Sequence, residues 1–212
     1  MSQNWTWLSG FASDLGVWED ELSAAVPEAA HTFIPYSKVI GSPDDLYTHI
    51  PELQSADVLL GMDLGALSML RSVKSRPANQ RWILLAPILD FCHGEDAWPR
   101  KQVLLMAKEI CKMPKQALNN ILELFGPADE SFQNAWMETA LKTPVELLEK
   151  GLEYLADAKI EEPTSLPNAE VRFGKEDLWV TPAVAKVAES LLPQAKILMR
   201  PKAGHWPWSL IG

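Results

Sequence analysis

The segment VLLGMDLGAL, residues 58–67, contains the residue best placed to do chemistry. Its apolar start predicts a buried strand, its end predicts a helix, and Gly61 and Gly65 flank Asp63 at the change. Small residues on both sides of a sharp strand-to-helix turn let the central side chain project above a sheet as a nucleophile. The pattern therefore indicates Asp63 as a candidate nucleophile, and the alternative is an ordinary glycine-containing turn.

An acid and a histidine follow Asp63 along the chain. Asp177 lies in the turn after the apolar segment EVRF, and His205 follows a glycine in the loop after the last predicted strand. In this chain order the acid can orient an imidazole that serves as the base. The alternatives are a helix N-terminal acid for Asp177 and a surface-loop residue for His205. The remaining histidines lack such a setting and are interpreted as structural: His31, His49 and His93.

The turn after the first predicted strand, LSGFAS, could supply hydrogen-bond donors to the same site. We predict that the backbone amide of Phe11 is paired there with the amide of Leu64, the residue after the candidate nucleophile. Two such amides stabilise the negative oxygen that develops when a carbonyl is attacked. Of the nine tryptophans, Trp18 and Trp206 are predicted to lie near the substrate pocket, because one follows this turn and the other follows His205.

Alternating strand and helix patterns indicate the scaffold that positions these residues. Strands are predicted at residues 5–8, 32–35, 57–62, 82–86, 170–173 and 196–199, and helices at about 16–25, 64–74 and 181–191. A helix between two strands is typical of a crossover that joins parallel strands. The sequence therefore predicts an α/β fold with a mostly parallel sheet of about six strands.

Residues 99–158 interrupt this alternation, because they form a series of amphipathic helical patterns. Pro114, Gly126-Pro127 and Thr143-Pro144 separate the predicted helices, since proline cannot continue a helix. A helical block of this length is too long for a simple crossover. We predict a core formed by residues 1–98 and 161–212, and a helical cap formed by residues 99–160.

Composition excludes several classes of protein and site. The 212 residues carry a net charge of −9, which argues against nucleic acid as a general partner because phosphates are bound mainly by Lys and Arg. No apolar run reaches the roughly 18 residues of a membrane-spanning helix, and the start lacks the pattern of a signal peptide, so we expect a soluble, cytoplasmic protein. Cys92 and Cys111 have no zinc-site spacing, and we predict neither a metal nor a cofactor.

One segment of this acidic chain is basic. Residues 97–120 contain five basic side chains and Glu109. Four of the basic residues recur at intervals of seven, four and three, which would place them on one face of a continuous helix. The face is either solvated surface or a docking site for an acidic acyl carrier protein. Its members are Arg100, Lys101, Lys108, Lys112 and Lys115.

Phrases spread over nearly the whole chain carry a family resemblance. They are LSGFASDLGVWED, GMDLGAL, LAPILDFCHGEDAWP, GLEYLADAKIEEP, FGKEDLWVTP and AGHWPW. On these residues the chain resembles the α/β-hydrolases, and among them it is similar to the pimeloyl-acyl-carrier-protein methyl ester carboxylesterases of biotin synthesis. The resemblance implies an α/β-hydrolase fold with an inserted cap and a short acyl ester, carried on acyl carrier protein, as substrate.

The nucleophile departs from that family, which has serine where this chain has Asp63. A carboxylate attacks a carbonyl poorly, so the first interpretation is an ester hydrolase scaffold with impaired or altered catalysis. The Asp nucleophiles of haloalkane dehalogenases and epoxide hydrolases attack saturated carbon, but those families have tryptophan where this chain has Leu64. A third interpretation is an inactive acyl-binding protein, in which serine has been lost naturally or replaced by design.

Three further expectations concern the ends of the chain and His205. The first two strands of the usual sheet have no room before Trp5, and the helix that usually follows the histidine is expected to be absent because the chain stops at Gly212. If Asp63 and Asp177 both contact His205, its pKa should be raised and the imidazole protonated near neutrality.

Overall fold

The computed structural model describes residues 2–94 and 97–212, and within them six strands form one sheet. The strands are β1 (Asn4–Leu8), β2 (Ala30–Ile34), β3 (Val58–Met62), β4 (Arg81–Leu85), β5 (Ala169–Gly174) and β6 (Lys196–Arg200). Their order is β2-β1-β3-β4-β5-β6, and every neighbouring pair is parallel. The predicted fold class is therefore confirmed. Two residues of the phrase LAPILDFCHGEDAWP, Glu95 and Asp96, lie outside the described residues, as does Met1.

Burial across the sheet explains why some strands are easier to recognise than others. The central strand β3, VLLGM, is buried along its whole length, as expected of a parallel strand covered on both faces. The edge strands β2 and β6 retain exposed and half-buried residues. An uninterrupted apolar run thus marks the middle of the sheet, where the candidate nucleophile follows β3.

Short helices follow the strands of the core along the chain. They are α1 (Glu19–Ala24), α2 (Tyr36–Gly41), α3 (Leu46–His49), α4 (Leu64–Arg71), α9 (Ala183–Leu191) and α10 (Pro207–Ile211). The helix predicted at 16–25 begins as a 3-10 turn, Leu15–Trp18, and the sequence predicts neither α2 nor α3. The expectation that no helix follows His205 is wrong: α10 begins at Pro207, whose missing amide costs nothing at a helix start. No helix among the described residues is long and apolar enough to span a bilayer.

In the part of the chain that the structure describes, four α-helices lie between β4 and β5, in agreement with the series of helices predicted there. They are α5 (Arg100–Lys112), α6 (Pro114–Leu122), α7 (Glu130–Lys142) and α8 (Val145–Asp157). The single continuous helix assumed for the basic residues is wrong, because α5 ends before Met113 and Pro114 starts α6. Lys115 therefore lies on α6, while the other basic residues lie on α5. The domain limits at residues 98 and 161 stay a prediction.

The insertion leaves and rejoins the core at one place, which we call the neck. Asp90 and Lys159 form an isolated antiparallel bridge, and the amide of Ile160 donates to the carbonyl of Leu89 at 2.8 Å. The neck thus brings the two ends of the insertion together beside the sheet.

Helix α8 of the insertion also contacts the core directly. The hydroxyl of Tyr36 donates to the carbonyl of Leu147 at 2.7 Å. At Gly151 the backbone comes so close to the core that an added Cβ would clash with the Tyr36 hydroxyl and lie 3.0 Å from a ring carbon of Phe11. The cap therefore packs against the start of α2 and the turn that follows β1.

Candidate active site

Asp63 lies on a strained turn between β3 and α4. Its backbone has φ 49° and ψ −111°, a conformation that L-residues rarely adopt and that costs on the order of 1–3 kcal/mol. The flanking glycines are required by close packing. An added Cβ at Gly65 would lie 2.8 Å from the carbonyl oxygens of Leu8 and Ser9, and one at Gly61 would lie 2.9 Å from the Ala66 backbone. The turn therefore fixes the Asp63 side chain above the end of the sheet.

The structure brings Asp63, Asp177 and His205 together. His205 Nε2 lies 3.3 Å from Asp63 Oδ2, and His205 Nδ1 lies 2.7 Å from Asp177 Oδ2. Asp177 is itself held, because its Oδ1 accepts from the amides of Trp179 at 2.9 Å and Val180 at 2.8 Å. All three side chains are at most 1% exposed. The imidazole is thus enclosed between two buried carboxylates.

The two backbone amides named from the sequence lie at the same point and both donate to Asp63. The amide of Phe11 donates to Oδ2 at 3.0 Å, and the amide of Leu64 donates to Oδ1. Such a pair of donors would stabilise a developing oxyanion in an acyl-transfer site. Here the carboxylate of the chain's own residue 63 takes both donors.

These surroundings change the protonation of His205. Burial alone lowers its pKa, but the charge of Asp177 and the hydrogen bonds to both carboxylates outweigh burial and raise the pKa to about 9. The imidazole is therefore positively charged near neutral pH, as the sequence argument expects. Burial and the charge of Asp63 also raise the pKa of Tyr36, which keeps that phenol neutral.

Aromatic rings surround the buried triad. Phe125 lies 4.6 Å from the His205 ring, centroid to centroid, and its carbonyl accepts from the His205 amide at 2.6 Å. Trp206 lies 5.6 Å from Phe125, and Trp18 lies 6.2 Å from Trp206. Trp206 is thus one ring removed from His205 and Trp18 two, while Phe11 stacks on Trp179 at 6.0 Å.

Three neighbours of the site escaped the sequence argument: Tyr36, Phe125 and Trp179. Phe125 comes from the helical insertion, ahead of Gly126-Pro127, and only the folded chain brings it to His205. A signal existed for Trp179, because it follows Asp177 by two residues and its amide binds that acid. Tyr36 has no distinguishing pattern.

Among the described residues, the basic side chains of α5 and α6 make no hydrogen bond or salt bridge with the triad. Arg100 pairs with Asp157 at 2.7 Å. The others are exposed on α5 and α6: Lys101, Lys108, Lys112 and Lys115. Within 2–94 and 97–212, no carboxylate forms a salt bridge with these four lysines, and no group of three or more His, Cys, Asp or Glu side chains could hold a metal ion.

Comparison with known proteins identifies the fold. No protein-family model matches the chain, and no curated protein matches it in sequence. An esterase from Exiguobacterium antarcticum superposes with a TM-score of 0.77 at 14% identity, over 96% of this chain and 85% of that one. A hydrolase from Oleispira antarctica gives 0.76 at 10% identity, over 97% and 85%. A bromoperoxidase from Bacillus anthracis gives 0.75 at 13% identity, over 97% and 86%. The chain has the α/β-hydrolase fold.

Proposed function

We propose that this chain is a carboxylic-ester hydrolase scaffold in which Asp63 suppresses ester hydrolysis. One observation carries the proposal: the amides of Phe11 and Leu64 converge on residue 63, next to a His205 that Asp177 orients. This is the arrangement that a nucleophile, a base and an oxyanion hole require. At residue 63, however, this chain has a carboxylate, whereas an ester hydrolase of this type has a hydroxyl.

Three effects of Asp63 oppose ester hydrolysis. A carboxylate is a weak nucleophile toward a carbonyl, and it would form a labile anhydride in place of an acyl ester. Its oxygens accept the hydrogen bonds of the Phe11 and Leu64 amides, which an oxyanion would need. Its charge helps to keep His205 protonated, and a protonated imidazole cannot accept a proton from water or a hydroxyl. The expected ester hydrolysis by the chain as it stands is therefore very slow.

The proposed substrate is a short acyl ester, with a pimeloyl-type methyl ester on acyl carrier protein as the specific candidate. Support comes from the cap surface. A groove of about 320 Å³ runs between α5 and α6, and Leu105 lines it while remaining 49% exposed. Lys101 precedes Leu105 by four residues, Lys108 follows it by three and Lys112 follows Lys108 by four, so all four lie on one face of α5. Exposed lysines beside a groove that is lined by apolar and polar side chains suit an acidic carrier protein.

Restoring a hydroxyl at residue 63 tests the catalytic part of the proposal. The Asp63→Ser variant should hydrolyse p-nitrophenyl acetate and butyrate, while the unaltered chain should be near the background rate. The matched control, Asp63→Ser with His205→Gln, should lose the gained activity because the base is removed. A folded Asp63→Ser protein that shows no activity above the double variant would contradict the proposal.

Charge reversal tests the partner. In the Asp63→Ser background, Lys108→Glu with Lys112→Glu should lower kcat/KM for an acyl-carrier-protein ester but leave p-nitrophenyl butyrate unaffected. The control is Lys74→Glu with Lys196→Glu, two exposed lysines of the core. Equal losses in both pairs, or no loss in either, would count against docking on α5.

A second candidate function is hydrolysis at saturated carbon with Asp63 as the nucleophile. The observation in its favour is that two amides and an imidazole already orient the Asp63 carboxylate. The Asp63 carboxylate would displace the halide from the carbon to form an alkyl ester, and water, with His205 as its base, would hydrolyse that ester to an alcohol and the free carboxylate. Release of chloride from 1-chlorobutane by the unaltered chain, with an alkylated intermediate trapped by mass spectrometry in His205→Gln, would favour this function over the first.

A further inference from the structure

A series of buried hydrogen bonds, which we call the relay, runs from the cap to residue 63. The indole Nε1 of Trp136, on α7, donates to Ser13 Oγ at 3.0 Å. Ser13 Oγ donates to the carbonyl of Phe11 at 3.1 Å, and the amide of Phe11 donates to Asp63 Oδ2 at 3.0 Å. Trp136, Ser13 and Phe11 are at most 5% exposed, so water does not compete for these bonds.

The relay restrains a tight and strained turn around Ala12. Ala12, between Phe11 and Ser13, has φ 53°, and the amide of Ser13 donates to the carbonyl of Gly10 at 3.3 Å. A residue other than glycine with positive φ is held in place only by its surroundings. The Ser13 hydroxyl is one of those restraints, because it fixes the peptide unit that directly follows Phe11.

We infer that Trp136 is a positioning residue for the Phe11 amide, so that seating of the cap completes the oxyanion hole. The inference rests on the proposed function, in which a substrate oxygen takes the place of Asp63 Oδ2. Without the indole donor, Ser13 Oγ is free to rotate and the Phe11 carbonyl loses its anchor. The turn at Ala12 then relaxes, and the Phe11 amide no longer points steadily at the oxyanion.

Removing the indole nitrogen by Trp136→Phe also leaves a cavity, because Trp136 is buried, so the control must lose a buried indole in the same way. Trp136 also contacts Phe125 edge to face, at a centroid distance of 5.1 Å. Trp136→Phe keeps an aromatic ring against Phe125 and removes the N–H donor, while Ser13→Ala removes the middle of the relay. Trp5→Phe is the matched control, because the Trp5 indole bonds to Gln3 at 3.4 Å and has no place in the relay.

The first experiment measures hydrolysis of p-nitrophenyl acetate in the Asp63→Ser background. Trp136→Phe should lower kcat about tenfold, below the roughly 100- to 1,000-fold that complete loss of an oxyanion donor costs, with KM changed less than twofold. The affinity for a phenylboronic acid, which places a negative oxygen in the hole, should fall by the same factor. The double variant, Trp136→Phe with Ser13→Ala, should have the same kcat as the less active of the two single variants, because both substitutions break the same relay.

The opposite results would overturn the inference. They are an unchanged kcat in both single variants, losses that multiply in the double variant, or an equal loss in Trp5→Phe. If Trp136→Phe does not fold, Ser13→Ala alone decides, because it removes no ring.

A second readout separates this inference from the proposed function, because it needs no activity. In the chain that keeps Asp63, Trp136→Phe should speed hydrogen exchange at the Phe11 amide at least tenfold. The exchange rate of the Leu64 amide should stay unchanged. An inactive Asp63→Ser protein would refute the proposed function and leave this test intact, whereas equal exchange at Phe11 in both proteins would refute the relay.

Discussion

Asp63→Asn removes one of the two carboxylates around His205 and keeps the size of the side chain. The lost charge lies 3.3 Å from His205 Nε2, and Asp177 remains 2.7 Å from Nδ1. An opposite charge at such a distance raises a histidine pKa by roughly one to three units. Because Asp177 contributes more than Asp63 to the raised pKa of His205, we expect that pKa to fall by about one unit, the low end of this range, from its value of about 9 in the unaltered chain.

The same shift predicts how stability depends on pH. The folded pKa of His205, about 9, lies above the ordinary 6.5, which corresponds to on the order of 3 kcal/mol. Because the folded state binds the proton more tightly, this contribution is complete below about pH 6.5 and is lost as the pH rises through 9. Urea unfolding at pH 6.5, 8 and 9.5 should show the loss, and it should be smaller in Asp63→Asn.

Titration by NMR of the His205 Cε1–H signal, assigned by its absence in His205→Gln, measures the pKa directly. Asp57→Asn is the matched control, because Asp57 is exposed and precedes β3 while Asp63 follows it, about 20 Å apart along the strand. The control should leave the His205 pKa within a few tenths of a unit. An unchanged pKa in Asp63→Asn would refute the contact between the two side chains and, with it, the explanation of suppressed catalysis.

Two further predictions concern packing and buried polar groups. Gly151→Ala should lower the free energy of unfolding by about 1–3 kcal/mol, because its Cβ would clash with Tyr36, whereas Gly41→Ala, which meets no atom within 4 Å, should be neutral or stabilising. Gln80→Met should lower the free energy of unfolding by about 3 kcal/mol or more, because the Gln80 side-chain amide makes four buried hydrogen bonds. Its control, Gln116→Met at an exposed position, should change the free energy of unfolding by less than about 0.5 kcal/mol. Urea unfolding followed by circular dichroism checks both pairs, and equal losses within a pair would contradict the argument.

The elements that the sequence predicts well are those whose pattern follows from burial alone. VLLGM is apolar at every position because β3 is covered on both faces, so its limits agree with the prediction to within one residue. Helices α2 and α3 are different. They have six and four residues, too few for a helical period to show, and their form depends on packing against the finished core.

The candidate site is predictable in its parts and not in its arrangement. Chain order brings Asp63, Asp177 and His205 under consideration, because the ends of parallel strands meet at one edge of a sheet. The capture of both amides by the Asp63 carboxylate depends on the turn at Phe11, whose position no periodicity reports. Lys115 shows the same limit, since Pro114 is visible in the sequence but the direction of the helix that it starts is not.

The neck has a consequence for how this architecture can vary. Asp90 and Lys159 hold the two ends of the insertion together, so the registry of β4 and β5 does not depend on how much chain lies between them. Closing a flexible loop costs only about 0.6 kcal/mol more for each doubling of its length. A longer or shorter cap can therefore be joined at the neck with little cost to the stability of the sheet. Substitutions and insertions can accumulate in the cap faster than in the core, so the specificity of the site can change while the strand ends below it stay in place.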